Sequence, residues 1–349
     1  MNDSKIFAGM LGILVLFALG VVLSQLQSVL LPLVIAVFLS YIFKPLILFL
    51  RRKKIPMSLS LLAVLVVVAL LLSVCGVVLM ASAEAVAKQM PKYVEKFNYM
   101  GSGALQALDE FVRRLGVKMD EFKLTDAVEI SSVTTFITSG IGSLFIFVGN
   151  GVVILLFMLF ILAGTGDLTV KVANGFRTDQ AERFSRIISN IDEKIRHYTI
   201  AKTGISLAVG ILSTIVFLIF GLDFPFFWGF LAFILNFIPN AGSIASTILP
   251  VILALLQFDS PLNAILILIL LLAIHNVMGS VVEPKVFESQ LNLSPLLILV
   301  ALIFWGWLWG VWGMILAVPI MSGIKIVFEN IDSLKPVAVL MGGKVKAKS

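Results

Sequence analysis

Asn236, Asn240, Ser243 and Thr247 lie in one otherwise apolar stretch, FPFFWGFLAFILNFIPNAGSIASTILP at 224–250. Amide and hydroxyl side chains donate and accept hydrogen bonds without carrying charge. Such groups suit holding a small hydroxylated solute rather than transforming it. Pro239 and Gly242 fall among them. A proline inside a helix removes a donor and clashes with the carbonyl four residues back, here that of Leu235. Backbone freed in this way cannot face lipid, so it is buried in protein or lines a water-filled cavity. The stretch therefore reads as part of a solute pathway. The plainer alternative is a kinked packing helix with small residues at a helix contact.

A second polar set follows. Asn276, Ser280 and Glu283 recur at helical spacing on a segment otherwise made of Leu, Ile and Val, giving one polar stripe. An ionisable residue near membrane depth is a functional candidate whose partner must be named. By sequence that partner is Lys285, with Pro284 ending the helix between them. The competing reading is a helix end at the interface, where both charges meet water. His275 faces away from the stripe and reads as a packing donor. A third set, Gly306, Gly310 and Gly313 with Pro319 beyond, interrupts the last apolar stretch.

The chain lacks the residues for bond chemistry. It contains no paired carboxylates, no His-Glu-x-x-His run, no nucleophile–base pair and no phosphate-cradling glycine loop, which argues against an enzyme, an ATP-driven pump or a cofactor. The single cysteine, Cys75, excludes an intrachain disulfide and a thiolate metal site. The carboxylates Asp223 and Asp259 flank apolar segments near turns, which makes them weaker choices than Glu283 for the titratable carboxylate an antiporter would need.

The elements that must position these residues are membrane helices. Of 349 residues, 60% are hydrophobic and 13% charged, and the mean hydropathy is +1.09, far from a soluble composition. Apolar segments run over Ile6–Leu23, Ser28–Leu50, Met57–Ala83, Ile141–Gly164, Thr203–Leu222, Pro225–Gln257, Pro261–Val282 and Pro295–Ile331. The expectation is an all-α polytopic membrane protein of about eight transmembrane segments, the first uncleaved. The pI near 9.4 does not indicate nucleic acid, because the positive charge flanks membrane segments.

Charge sets the expected orientation. The Arg51–Lys54 cluster belongs in the cytoplasm by the positive-inside rule. Ser24–Gln27 then forms an outer turn, and both termini lie inside. The predicted organisation is three helices over 1–83, an extracytoplasmic helical excursion over 84–140 and a fourth helix over 141–164. A cytoplasmic amphipathic region over 165–202, a transport core over 203–331 and a basic tail over 332–349 complete it. In the amphipathic region Phe184, Ile187, Ile188, Ile191 and Ile195 share one face, suited to the membrane surface or a neighbouring subunit. In the excursion Leu105, Leu108, Phe111, Val112 and Leu115 repeat that spacing after Gly101-Ser102-Gly103.

Two segments exceed one upright crossing. Unbroken, 225–257 and 295–331 would extend roughly 50 and 55 Å, against a hydrocarbon core of about 30 Å. They are either tilted, kinked spans or re-entrant hairpins entering from opposite faces. Interrupted segments paired in this way point to a transporter site at the midplane.

These residues also carry a family likeness. The run Trp228–Phe233 through Asn236-Phe237-Ile238-Pro239-Asn240-Ala241-Gly242-Ser243 resembles the signature of the autoinducer-2 exporter family of bacterial inner-membrane proteins. So do Val282-Glu283-Pro284-Lys285, Leu293-Ser294-Pro295, Ile303–Gly310 and Gly313–Pro319. The chain departs from that pattern at Trp312, where many relatives have proline, and at Ala241, where a branched residue is common. The resemblance implies a secondary exporter of a small polar metabolite, with autoinducer-2 the best-known cargo. It further implies a cyclic homo-oligomer such as a pentamer, with elevator-type movement of one lobe. Some relatives are sodium/proton antiporters, so a cation/proton antiporter stays open as an alternative, with a non-transporting scaffold as the third.

Overall fold

The structure is a computed structural model and describes residues 3–114, 151–164, 178–287 and 292–343. Every regular element among those residues is a helix, with no strand. The helices are α1 (Asp3–Gln25), α2 (Gln27–Arg52), α3 (Met57–Arg114), α4 (Gly151–Ala163), α5 (Thr178–Phe220), α6 (Pro225–Leu235), α7 (Ala241–Gln257) and α8 (Pro261–Asn276). A π-helical stretch, Val277–Val282, leads into α9 (Glu283–Phe287), followed by α10 (Pro295–Glu329) and α11 (Lys335–Met341). Among the described residues five helices are long and apolar enough to cross a membrane, by length and composition: Gln27–Arg52, Met57–Ser82, Phe184–Phe220, Pro261–Phe287 and Pro295–Glu329. The 115–140 part of the excursion, residues 141–150 and 165–177, and the end of the basic tail lie outside the described residues, as does the predicted side-chain face at 105–115.

Local chemistry sets several boundaries. Ser260 and Ser294 cap α8 and α10, their hydroxyls accepting from the amides of Leu262 and Leu297, and each is followed by a proline at the first helical position, where its missing donor costs nothing. Elsewhere the helices run on without a break. The stretch Gly101-Ser102-Gly103 stays inside α3, and the amphipathic 179–200 and apolar 203–220 form one helix, α5. The outer turn read at 24–27 is a break at Leu26 alone, with the Leu26 amide bonding the Val22 carbonyl and the Leu30 amide bonding that of Leu26.

The chain forms two compact units. The first comprises Met1–Val68, Val152–Ile205 and Gly279–Ser349. In it Lys44 is held by both carboxylate oxygens of Asp192 at 3.0 Å, joining α2 to α5, and α10 packs on α1, α2 and α11. Helix α10 is bent back on itself. Trp309 (φ −128°, ψ 16°) and Gly310 (φ 62°, ψ −145°) leave helical geometry, and Lys325 Nζ donates to the Asn292 carbonyl at 2.9 Å. A straight helix would hold those residues roughly 50 Å apart. The two arms are therefore antiparallel, with the turn at 309–310. At that turn the Trp309 indole N–H approaches the Leu23 carbonyl in the last turn of α1, at 3.4 Å.

The second unit comprises Ala69–Gly151 and Ser206–Met278. Its core gathers Leu79 and Tyr93 of α3, Val216 and Phe217 of α5, Phe227 and Trp228 of α6, Leu253 and Ala254 of α7, and Ala264, Ile267 and Leu271 of α8. Helices α6 and α7 form a second antiparallel hairpin. Gln257, at the end of α7, donates to the Gly221 carbonyl and accepts from the Asp223 amide, both at 2.7 Å. Those groups precede the start of α6.

Candidate functional site

The turn between α6 and α7 is built from Asn236–Asn240. Pro239 lies in the turn rather than inside a helix. The Leu235 carbonyl accepts from the Ile238 amide at 2.8 Å, the Gly242 amide reaches the Ile238 carbonyl at 3.1 Å, and the Ala241 amide reaches Pro239 at 2.7 Å. Asn240 takes φ 59°, ψ −58°, a positive φ that asparagine tolerates better than most residues. Gly242 is buried where a Cβ would lie 1.7 Å from the Leu235 oxygen. The same device recurs at the α10 turn, where a Cβ on Gly313 would lie 1.8 Å from the Trp305 oxygen. Each turn closes because a glycine lets the returning arm lie against a carbonyl of the outgoing one.

The predicted polar residues separate into three groups. Asn240 is exposed and Ser243 half-buried at the turn, so these two present side-chain groups there. Asn236 and Thr247 are buried and already engaged. Asn236 donates to the buried Ser206 hydroxyl at 3.0 Å, fastening α6 to α5, and Thr247 donates to the Ser243 carbonyl at 2.8 Å. Asn276 and Ser280 are exposed on α8 and the π stretch. Gly310 is exposed at its turn, while Pro319 is buried within the returning arm of α10 and breaks nothing there.

The ion-pair expectation is corrected. Glu283 is bound by Lys202 of α5, in a contact of hydrogen-bond length, whereas Lys285 is exposed. Residues 283 and 285 lie in the first turn of the short α9, and the carboxylate turns towards α5 instead. The Lys202 side chain is 5% exposed and that of Glu283 27%. Tyr198, one turn before Lys202, stacks on Phe287 with ring centroids 5.2 Å apart, so two contacts hold α9 to α5. Spacing gave no warning of this, because the partners stand 81 residues apart.

His275 does more than pack. Its Nε2 lies 3.1 Å from Ser246 Oγ, and its Nδ1 lies 2.9 Å from the Leu271 carbonyl and 3.4 Å from Thr247 Oγ1. Ser246 is buried and its hydroxyl also lies 3.2 Å from the Ser243 carbonyl. The sequence signal was available, since Ser246 and Thr247 sit one turn after Ser243 in an apolar helix.

At the opposite end of the hairpin stands a charged cluster. The Tyr93 hydroxyl, on α3, donates to Asp223 and lies 3.0 Å from Gln89. Lys96 reaches the Phe258 carbonyl at 3.3 Å and Asp259 at 3.2 Å. Burial first, and then the hydrogen bond to Asp223, push the Tyr93 hydroxyl well above the usual phenol range. Both arms of the α6–α7 hairpin thus meet the extension of α3 at the hairpin base. Among the described residues no group of three or more His, Cys, Asp or Glu side chains is placed to hold a metal ion.

The sequence model of the AI-2E family transporter matches residues 11–333. The AI-2 transport protein TqsA of Escherichia coli K12 is 30% identical over 343 residues, covering 98% of this chain and 96% of that protein. A Borreliella burgdorferi protein whose name describes a transport protein is 30% identical over 318 residues, 91% of this chain and 85% of its own. YhhT of Escherichia coli K12, also named for transport, is 27% identical over 347 residues, 97% of each chain.

Proposed function

The chain belongs to the AI-2E transporter family, and on that premise we propose that it is a secondary-type exporter of a small polar solute, with an autoinducer-2-like molecule as cargo. Family and composition make it a multi-pass bacterial inner-membrane transport protein and not an enzyme. The cargo reading takes its support from the name of TqsA and from the uncharged character of Asn240 and Ser243.

One observation carries the mechanism: the hairpin returns to its own starting side with a polar turn at its far end. Helices α6 and α7 hold 11 and 17 residues, roughly 16 and 25 Å, less than the approximately 30 Å of a hydrocarbon core. Tyr93, Lys96, Asp223 and Asp259 gather at its base, as groups at a water interface do. A hairpin anchored there ends within the bilayer as a re-entrant element. Its turn backbone and the Asn240 and Ser243 side chains then line the solute route. The α10 hairpin, reversed at Gly310, is a second element of this kind. Exposed Asn276 and Ser280, on a segment whose other exposed residues meet lipid, border that route or a neighbouring copy in a cyclic homo-oligomer such as a pentamer. Both termini are cytoplasmic in this reading.

Two measurements test it. Proteoliposomes loaded with labelled autoinducer-2 release it faster than protein-free vesicles, and Ser243→Val slows release severalfold; equal leak from both vesicle types overturns the reading. In a Cys75→Ser background, a cysteine at Asp259 labels from the periplasmic side and one at Arg52 from the cytoplasmic side. Labelling of both from one side removes the re-entrant hairpin.

A further inference from the structure

We propose that His275, with Ser246, Thr247 and the carbonyls of Ser243 and Leu271, forms a proton-binding site that couples the α6–α7 hairpin to a proton gradient. The coupling rests on the transport reading above; the proton site itself does not.

Position comes first. His275 stands roughly 21 Å along α8 from Pro261, inside the apolar span Pro261–Phe287. An ionisable side chain at that depth is costly unless it has a task. Isolation comes second. Residues 206–222 of α5 and its following turn, and the whole of α6, α7 and α8, contain no Asp, Glu, Lys, Arg or Tyr, and His275 is their one titratable residue. In the apolar part of α3 within this unit, 69–83, the titratable residue is Cys75. Asp223 and Asp259 belong to the hairpin base, held by Tyr93 and Lys96. Glu283, the next ionisable residue along the chain, is held by Lys202. Among the described residues no fixed charge from the elements packed on His275 therefore decides its state, and the hydrogen-bond partners do.

Those partners accommodate both states. In the neutral ring, Nδ1–H donates to the Leu271 carbonyl at 2.9 Å, and Nε2 accepts from the Ser246 hydroxyl at 3.1 Å. When a proton binds the Nε2 lone pair, that nitrogen becomes a donor to Ser246 Oγ. The serine hydrogen then turns to the Ser243 carbonyl, 3.2 Å away. Thr247 already donates to the same carbonyl and leaves its own oxygen facing Nδ1. Every donor has an acceptor before and after. A histidine serving only to clasp α7 to α8 needs the first arrangement alone. Rotation of one hydroxyl carries the change to Ser243, in the first turn of α7 beside the exposed Asn240, where the solute route lies.

The chain has two histidines, His197 and His275, so a His197→Asn protein labelled with 15N-histidine and reconstituted in lipid gives spectra of His275 alone. The imidazole nitrogens are expected to pass from neutral to protonated as the pH falls from about 8 to 5, and Ser246→Ala is expected to move the midpoint. A ring that stays in one neutral tautomer across that range overturns the proposal. In proteoliposomes with autoinducer-2 as the probe, a one-unit pH gradient is expected to drive about tenfold accumulation for one proton exchanged, lost in His275→Asn. An unchanged gradient response in that variant also overturns it. Absence of any flux in the wild type counts against the transport reading, and the titration still decides the proton site.

Discussion

Gly242→Ala and Gly313→Ala are each expected to abolish transport and to lower thermal stability. Both fail for the same reason. An added Cβ meets a backbone oxygen at 1.7 Å in the first case and 1.8 Å in the second, about half of any tolerable carbon–oxygen separation. Neither oxygen is the tip of a flexible side chain. Each belongs to the last turn of the opposing arm, so relief requires the arms to part and the turn to reopen. The cost exceeds the roughly 1–3 kcal/mol of ordinary overpacking. Gly204→Ala and Gly323→Ala supply the controls. The first meets nothing within 4 Å and the second only Ile195 at 3.6 Å, an ordinary contact. Wild-type flux and melting temperature in both hairpin variants, matching the controls, would show that close approach at the turns is dispensable.

That pair of glycines also shows what the sequence makes legible. The interruptions at Pro239–Gly242 and Gly306–Gly313 are visible as breaks in apolar periodicity, as is the excess length of the two segments. Whether the chain turns back at a break is not visible, because a kink and a hairpin use the same residues. The reversal is established by Gln257 meeting Gly221 and by Lys325 meeting Asn292. Beside Gly242 the Leu235 carbonyl occupies the space a Cβ would need, a close backbone approach that glycine permits. Asn236 reads from sequence as a pathway group, yet it ends buried on Ser206, since a polar side chain in an apolar helix signals a partner without identifying it. Helices α3 and α5 run on without a break past Gly103 and Lys202. Glycine and serine lower helix propensity by about 1 kcal/mol or less each, too little to end a long helix whose neighbours favour continuation.

The pairing of Lys202 with Glu283 carries the second large effect. Removing one member of a buried ion pair strands the other, which typically costs about 3–5 kcal/mol, whereas replacing both is often neutral. The Lys202 side chain is 5% exposed and Glu283 27%, so water screens the lysine hardly at all and the carboxylate only in part. Glu283→Gln leaves a buried ammonium without its counter-charge, and Lys202→Met leaves a carboxylate facing an apolar side chain. Each single variant is expected to melt well below the wild type in detergent. The double variant, Lys202→Met with Glu283→Gln, recovers most of the loss, because no stranded charge remains. A strictly additive double variant would show that the two groups are independent. Flux separates this pair from His275. If the ion pair only fastens α9 to α5, the double variant transports with the wild-type response to pH, and the response disappears when His275 is replaced in that same background. A pH response that vanishes in the double variant while His275 is intact would instead assign coupling to Glu283.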